Sequence, residues 1–351
     1  MRCFNALRRI QISNTDLNTD LRLNQLADWI RSIDVAAGGV LEAASDDASF
    51  RRYFRLQNGT TSFIAMDAPP SQESCLEFVR IAGFLEAMGL HAPRIIAADI
   101  ENGFLLLSDL GNDEYLGVLQ GDAALAATLY GDAMLALLQL QRRGVAYQSS
   151  LPPYDDTLLR FELSLFWDWL CGTHLQLALS VDDERDWQAC CDVLVRSALD
   201  QPQVFVHRDY HSRNLMVTTN HNPGILDFQD AVEGPFTYDL VSLLKDCYID
   251  WPAADIKAWA IQFYDSLGER VREQVDQKQF FRYFEFMGVQ RQLKAAGIFC
   301  RLLHRDGKSR YLADVPRTLA YIVDVAPEYA ELRFLGRLIE DKVLPAWSAR
   351  S

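Results

Sequence analysis

A chain of 351 residues exceeds the size at which one hydrophobic core usually keeps growing, so two lobes or domains are expected. Apolar residues make up 49% and charged residues 23%, which is ordinary for a globular protein and excludes a disordered or collagen-like chain. The 34 basic and 48 acidic residues give a net charge of -14, which argues against nucleic acid as a partner because phosphate binding depends on Lys and Arg.

The seven cysteines are scattered and form no C-x-x-C pair, so we expect reduced thiols in a cytoplasmic protein. No stretch approaches the roughly 18 consecutive apolar residues needed to cross a bilayer, so no membrane partner is expected.

The N-terminal part combines helical and strand patterns. Residues 21–35 carry apolar side chains at helical spacing. Two β-prone runs, 50–56 and 61–66, flank Asn58-Gly59, a dipeptide typical of a β-hairpin. One helix and two further short strands follow, over residues 73–88, 93–98 and 104–107.

Beyond residue 110 the pattern becomes mostly helical, with one strand-like island at Val204–Asp227. The segments that suit helices are 121–144, 157–178, 183–199, 239–248, 253–274, 276–304 and 328–343. We therefore predict an α+β fold with an N-terminal nucleotide-binding lobe (1–110) and a C-terminal catalytic and substrate lobe (111–351). A small-molecule site is expected in the cleft between such lobes.

The strand-like island carries polar side chains at a defined spacing. His207, Asp209 and Asn214 follow the pattern H-x-D-x-x-x-x-N. Asn222-Pro223-Gly224 then turns the chain back, so Asp227 is expected to lie beside Asn214 across a short hairpin. One amide and two carboxylates would thus converge at one end of a two-stranded ribbon.

Phosphoryl transfer requires this set of groups. Asp209 suits the carboxylate that orients the attacking hydroxyl and accepts its proton, while Asn214 and Asp227 suit the oxygen ligands of Mg²⁺. His207 suits a structural role in the loop. The alternative is a polar turn in which Asp209 and Asn214 merely satisfy backbone groups. The two motifs in order, 13 residues apart, favour the phosphotransfer site.

Together with Gly234–Leu240, these motifs resemble the aminoglycoside-phosphotransferase-like branch of the protein-kinase-like fold. The resemblance spans nearly the whole chain. It implies a bilobal fold with an antiparallel sheet in a small N-terminal lobe and a larger, mostly helical C-terminal lobe. It also implies ATP and Mg²⁺ as cofactors. In that family a G-x-x-x-x-D-L motif carries a structural Asp that supports the catalytic loop, and Asp239 takes this position.

Within the family, several blocks are most similar to bacterial kinases that phosphorylate the anomeric hydroxyl of N-acetylmuramate and N-acetylglucosamine in peptidoglycan recycling. These blocks are Asp47–Arg55, Met66–Pro70, Gly103–Gly111 and Gln290–Lys294. The resemblance implies a small-molecule amino sugar and a nucleotide as partners, and we expect a monomer.

On the nucleotide side, the resemblance places Ser49 in a glycine-free loop over the phosphates. The third strand lacks the phosphate-pairing lysine of the family, so we expect Arg52, or alternatively Arg51, to supply that charge. The alternative is that both arginines are solvated edge charges. Ser108 and Leu110 belong to the predicted hinge, where backbone groups would contact the adenine.

On the acceptor side, Glu162 is the candidate partner of sugar hydroxyls, and Arg291 or Lys294 the candidate partner of a lactyl carboxylate. The alternative is that these are core or solvated helix residues. Acidic residues around the island favour a second reading, a kinase for an aminoglycoside, choline or homoserine. A non-catalytic pseudokinase is a third reading. The missing lysine and glycines favour it, and the complete set of Asp209, Asn214 and Asp227 argues against it.

Overall fold

The computed structural model describes residues 20–36, 39–45 and 50–350, which divide into two compact units. The first unit comprises the described residues up to Asn112 together with Thr218–Gln229. The second comprises Asp113–Val217 and the described residues from Asp230 onward. That the first unit binds the nucleotide and the second the acceptor stays a prediction.

The first unit contains a five-stranded antiparallel sheet in the order β1-β2-β3-β5-β4. Its strands are β1 (Val40–Ser45), β2 (Arg52–Asn58), β3 (Thr61–Asp67), β4 (Ile95–Asp99) and β5 (Phe104–Ser108). The predicted hairpin is confirmed: Asn58 pairs with Thr61, and Gly59 adopts the left-handed φ of 60° that the turn requires. The two-residue strand Gly224–Ile225 also belongs to this unit.

Two helices of the first unit match the predicted segments. Helix α1 (Leu21–Arg31) begins after Asp20, whose carboxylate accepts a hydrogen bond from the backbone of Leu23 at 3.0 Å. Its apolar residues pack on Phe54 of β2 and other core residues of the sheet. Helix α2 (Cys75–Ala87) begins after Ser74, which caps it in the same way.

Four charged residues tie α1 to the sheet, and we call them the Asp67 network: Asp20, Arg22, Arg52 and Asp67. Asp67 is 0% exposed and lies directly opposite Arg52 on the neighbouring strand. Arg22 Nε donates to one oxygen of Asp67 at 2.9 Å, and Arg52 Nε donates to the other at 3.0 Å. Arg52 also pairs with Asp20 at the start of α1. The buried carboxylate is therefore compensated by two guanidinium groups.

The second unit is mostly helical, as predicted. Its helices are α3 (Tyr115–Gly121), α4 (Ala126–Gly144), α5 (Asp156–Leu165), α6 (Val181–Leu199), α7 (Tyr238–Leu244), α8 (Ala253–Asp265), α9 (Glu269–Gln274), α10 (Gln277–Asp306), α11 (Val315–Val325), α12 (Arg333–Leu338) and α13 (Leu344–Ser348). Two π-helical segments, Phe166–His174 and Ile339–Val343, continue α5 and α12.

The observed helices differ from the predicted segments in two ways. Helices α3, α11 and α13 lie in stretches for which no helix was predicted. The predicted segment 253–274 is two helices, because Gly268 precedes α9 in an extended conformation.

Helix α10 lies close to the end of α5 at Gly297, where an added Cβ would meet the Leu165 carbonyl carbon at 2.3 Å.

Among the described residues, the stretch Ala123–Gly144 is the one helix long and apolar enough to cross a membrane by length and composition. In its most apolar window, 44% of the residues are buried inside the structure. Buried core helices of globular proteins satisfy the same criteria.

Removing one charge from the Asp67 network should destabilise the protein. We expect Asp67→Asn to lower the free energy of unfolding by about 3 kcal/mol, the lower end for breaking a buried pair, because both arginines are partly exposed. Urea unfolding and Tm would measure the change. The control is Asp28→Asn, which breaks an exposed pair with Arg31 and should change the stability by less than about 0.5 kcal/mol. Equal effects of the two variants would contradict the prediction.

Candidate active site

The predicted catalytic residues of the second unit lie in one loop, residues 207–214, which we call the catalytic loop. It follows strand β6 (Gln203–Val206), whose antiparallel partner is strand β7 (Val232–Pro235). Phe205 and Val206 are buried, so the polar loop begins directly after a buried apolar strand. Arg208 adopts a left-handed φ of 78°, an uncommon conformation for a residue with a side chain.

Asp239 holds the start of the catalytic loop. Its two carboxylate oxygens accept the backbone N–H groups of His207 at 2.7 Å and Arg208 at 2.9 Å. Burial raises the pKa of Asp239 to about 7, and the two N–H groups offset only part of that effect. The contact that a loop-supporting Asp requires is therefore present at this position.

Asp246, which the sequence analysis missed, holds the middle of the loop. Its buried carboxylate accepts the backbone N–H of Ser212 at 2.9 Å and also the Ser212 hydroxyl. The same side chain accepts the backbone N–H of Tyr248 at 2.9 Å. Asp239 and Asp246 stand at the two ends of the apolar helix α7. The signal in the sequence is a short apolar helix with an aspartate at either end.

Within the loop, side chains fix the backbone around Asp209. His207 Nδ1 accepts the backbone N–H of Asp209 at 3.2 Å, and Asn214 Nδ2 donates to the Asp209 carbonyl at 3.0 Å. The structure thus brings His207, Asp209 and Asn214 together. Burial alone would raise the pKa of Asp209, but nearby positive charges, led by Lys294, outweigh it and lower the pKa to about 2. The carboxylate is therefore ionised at neutral pH.

Glu162 lies on helix α5, where it is 2% exposed. One of its oxygens pairs with Arg208 and with Lys294, the latter at 3.0 Å. The other oxygen accepts from the Tyr154 hydroxyl and from Gln290 Nε2, the latter at 3.1 Å. Burial opposes ionisation, but the charges of Lys294 and Arg208 lower the pKa of Glu162 below its usual value.

These contacts occupy the hydrogen-bonding capacity of the Glu162 carboxylate. The predicted contact with sugar hydroxyls remains a prediction, and the geometry favours an indirect role instead. Glu162 orients Arg208, which belongs to the catalytic loop, and Lys294, which also donates to the Tyr238 hydroxyl at 2.9 Å. Sequence reasoning did not identify Arg208 or Tyr154 as partners of Glu162. Arg208 is 46 residues away, and Tyr154 is 8 residues away but precedes helix α5, so helical spacing does not indicate its contact.

Asp227 belongs to the first unit, where Phe228 anchors it. The Phe228 ring is buried, and its centroid lies 4.7 Å from the centroid of the Phe78 ring on α2. Asp227 itself has a φ of 59°, and Gln229 Nε2 donates to its Oδ1 at 2.8 Å.

Asn214 and Asp227 offer an amide oxygen and carboxylate oxygens, the donor types that Mg²⁺ prefers. The described residues contain no group of three or more His, Cys, Asp or Glu side chains able to hold a metal ion. A nucleotide-bound Mg²⁺ needs only one or two protein ligands, because phosphates and water complete its coordination. The chemistry of these two residues therefore fits the predicted role.

The two neighbouring arginines of the nucleotide side have different partners. Arg52 is engaged by Asp20 and Asp67 in the Asp67 network. Arg51 is 9% exposed and pairs with Glu73 at 2.8 Å. Arg51 and Arg52 were expected to face opposite sides of the strand, and their separate partners agree with this. Which of the two arginines contacts the nucleotide stays a prediction; the two carboxylates at the Arg52 guanidinium favour the alternative, Arg51, which has one.

The other predicted nucleotide contacts are Ser49, Ser108 and Leu110. Ser49 lies outside the described residues. Ser108 donates its N–H to the Arg94 carbonyl at 2.9 Å, so this group is already used. Leu110 N–H makes no hydrogen bond within the part of the chain that the structure describes. The predicted contacts of Ser108 and Leu110 with a nucleobase remain predictions, and of the two backbone N–H groups that of Leu110 is the one not already bonded to another described residue.

Asp109 holds the backbone of the predicted hinge around Leu110. Its carboxylate accepts from Arg55 Nε at 2.6 Å and from the Gly111 N–H at 2.9 Å. Gly111 has a φ of 98°, which a side chain would strain. Burial would raise the pKa of Asp109, but the hydrogen bonds, led by that from Arg55, lower it.

Comparison with known proteins identifies the family of the chain. The model of the phosphotransferase enzyme family (APH) matches residues 40–278. An N-acetylmuramate/N-acetylglucosamine kinase of Pseudomonas aeruginosa is 46% identical over 334 residues, 92% of this chain and 97% of that protein. A kinase of the same name from Neisseria meningitidis is 39% identical, covering 91% of this chain and 95% of the relative.

Among solved structures, a choline/ethanolamine kinase family protein from Mesorhizobium loti has a TM-score of 0.60 at 14% identity, covering 90% of this chain and 99% of that one. This likeness shows the fold, which is protein-kinase-like with an antiparallel N-terminal sheet and a mostly helical remainder. The family match covers more than half of the sequence and includes both the catalytic loop and Asp227. The chain therefore belongs to the phosphotransferase enzyme family.

Proposed function

We propose that the chain is an ATP-dependent kinase that phosphorylates the anomeric hydroxyl of N-acetylmuramate or N-acetylglucosamine, giving the sugar 1-phosphate and ADP. The 46% identity with a kinase named for these two sugars, extending over 92% of the chain, is the observation that carries this proposal. We further propose that the enzyme is a cytoplasmic monomer that serves peptidoglycan recycling.

In this proposal Asp209 orients the sugar hydroxyl and accepts its proton as the phosphoryl group is transferred. An anomeric hydroxyl is more acidic than an ordinary alcohol, so one carboxylate suffices as the base. Asp239 and Asp246 support this role, because they hold the loop backbone on both sides of Asp209.

We propose that Asn214 and Asp227 hold Mg²⁺ on the nucleotide phosphates, where the ion would neutralise negative charge. Arg51 would supply the charge of the missing lysine, with Glu73 fixing its guanidinium. Leu110 N–H would contact the nucleobase.

Charge argues against a cationic acceptor. Arg208, Arg291 and Lys294 all lie close enough to Asp209 to lower its pKa, so an aminoglycoside or choline would meet several like charges. The acidic run Asp182–Glu184, which had favoured such acceptors, caps and begins helix α6, and Asp183 there pairs with Lys342 at 2.6 Å. A neutral or anionic sugar is therefore the better match.

Substitution of the proposed base should abolish most turnover. Asp209→Asn keeps the shape of the side chain but removes the proton acceptor, so we expect kcat to fall by roughly 10²–10⁴-fold with nucleotide affinity nearly unchanged. Steady-state kinetics and ATP titration would measure both. The control is Asp186→Asn on the exposed face of α6, which should leave kcat unchanged. Near-normal turnover of Asp209→Asn would exclude it as the base.

Substitution of Arg51 and substitution of Arg52 should affect different properties, nucleotide binding in the first case and stability in the second. We expect Arg51→Met to raise the KM for ATP by about 10-fold through loss of a phosphate contact. Arg52→Met should lower Tm through the Asp67 network and leave the KM for ATP unchanged. Combining Arg51→Met with Glu73→Gln avoids an uncompensated carboxylate. A rise in KM for the Arg52 variant alone would restore Arg52 as the phosphate partner.

The acceptor atom is tested by removing the anomeric centre. Reduction of N-acetylglucosamine to its alditol keeps most hydroxyls and abolishes the hemiacetal. We expect phosphoryl transfer to the sugar and none to the alditol or to kanamycin, measured as ADP release and confirmed by identifying the sugar 1-phosphate. Phosphorylation of the alditol at a similar rate would show that another hydroxyl is the acceptor, and preference for kanamycin would establish a cationic acceptor instead.

A further inference from the structure

We infer that Arg291 binds the carboxylate of the acceptor and thereby distinguishes N-acetylmuramate from N-acetylglucosamine. The two sugars differ by the lactyl ether of N-acetylmuramate, which carries the negative charge. This inference rests on the proposed function, because it assumes that both sugars are acceptors.

The first observation is a buried cation without a direct carboxylate partner among the described residues. Arg291 is 5% exposed, and it forms no salt bridge with any residue that the structure describes. Its Nη1 donates to the Cys247 thiol at 3.5 Å, and its buried Nε has no hydrogen-bond partner. A guanidinium carries five N–H donors, and a thiol is a weak acceptor, so most of its capacity is unused. Burying such a charge is costly unless a partner compensates it.

The second observation is the position of Arg291 beside the catalytic loop. Lys294, one turn further along α10, pairs with Glu162, which in turn holds Arg208 of the loop. On the other side, Cys247 adjoins Asp246, which binds Ser212 of the loop. Arg291 therefore lies between two sets of residues that contact the loop. Its charge also contributes to the lowered pKa of Asp209, which agrees with this placement.

The neighbouring cations are engaged differently. Arg208 and Lys294 share the carboxylate of Glu162. Arg213 lies over the Tyr248 ring, with its guanidinium carbon 4.6 Å from the ring centroid. Arg291 is thus the cation of this group that has neither a carboxylate nor an aromatic face as partner among the described residues. A planar guanidinium can bind a carboxylate through two parallel hydrogen bonds, which suits a lactyl group.

The test compares acceptors within one variant. Arg291→Met preserves much of the volume but removes the charge. We expect the ratio of kcat/KM for N-acetylmuramate to kcat/KM for N-acetylglucosamine to fall by roughly 10- to 100-fold. Any effect of the lost charge on Asp209 is common to both sugars and cancels in this ratio. The matched control is Arg282→Met on the same helix, which breaks an exposed pair with Glu331 and should affect neither sugar.

A third acceptor isolates the effect of the negative charge. Its comparison with N-acetylmuramate in the wild-type enzyme does not depend on the folding of any variant. The lactyl amide of N-acetylmuramate keeps the shape of the substituent and is neutral. We expect the wild-type enzyme to prefer the acid over the amide by about 10-fold or more, and Arg291→Met to lose this preference.

Equal losses for both sugars in Arg291→Met would overturn the inference, since Arg291 would then act on Asp209 and the loop. A wild-type enzyme that does not distinguish the acid from the amide would overturn it as well. If the wild-type enzyme phosphorylates neither sugar while transferring phosphate to another acceptor, the proposed function fails and the inference falls with it.

Discussion

The catalytic loop depends on two buried carboxylates that bind its backbone. Asp239 accepts the N–H groups of His207 and Arg208, and Asp246 accepts that of Ser212. This arrangement has a cost, because burial raises the pKa of Asp239 to about 7. The folded protein therefore favours the protonated acid, and the stability that protonation contributes below the usual pKa is lost as the pH rises through about 7. Above that pH the ionised Asp239 costs stability, and its hydrogen bonds from the His207 and Arg208 N–H groups offset part of this cost.

Charge compensation around the loop explains why a chain with a net charge of -14 suits an uncharged or anionic acceptor. Glu162 neutralises part of the charge of Arg208 and Lys294 and fixes their side chains. Arg291 adds a further positive charge without adding a carboxylate. The local field at Asp209 is consequently opposite in sign to the average field of the chain, and local fields govern which ligands approach a site.

The sequence predicted those features that depend on local patterns. Local patterns predicted the Asn58-Gly59 turn and helices α1, α2 and α10. The spacing of the polar residues in the catalytic loop likewise predicted that His207, Asp209 and Asn214 lie together. Contacts between distant segments could not be predicted from the sequence. The link from Ser212 to Asp246 spans 34 residues, and that from Arg208 to Glu162 spans 46, so no period or motif reports them. Helix α11 was missed although its buried residues Val315, Leu319 and Ile322 recur at helical spacing, so this local pattern was present in the sequence and was overlooked.

The choice between Arg51 and Arg52 illustrates the same limit on one strand. Alternation predicts that adjacent side chains face opposite sides, and the structure agrees, but alternation does not say which side faces α1. That was decided by Asp67, which pairs directly across from Arg52 and is also held by Arg22 of α1. Once Arg52 compensates this buried carboxylate, its charge is committed to the stability of the first unit. The neighbouring arginine pairs with Glu73 instead, so adjacent residues of identical type have different partners, and neither partner could be read from the alternation of the strand.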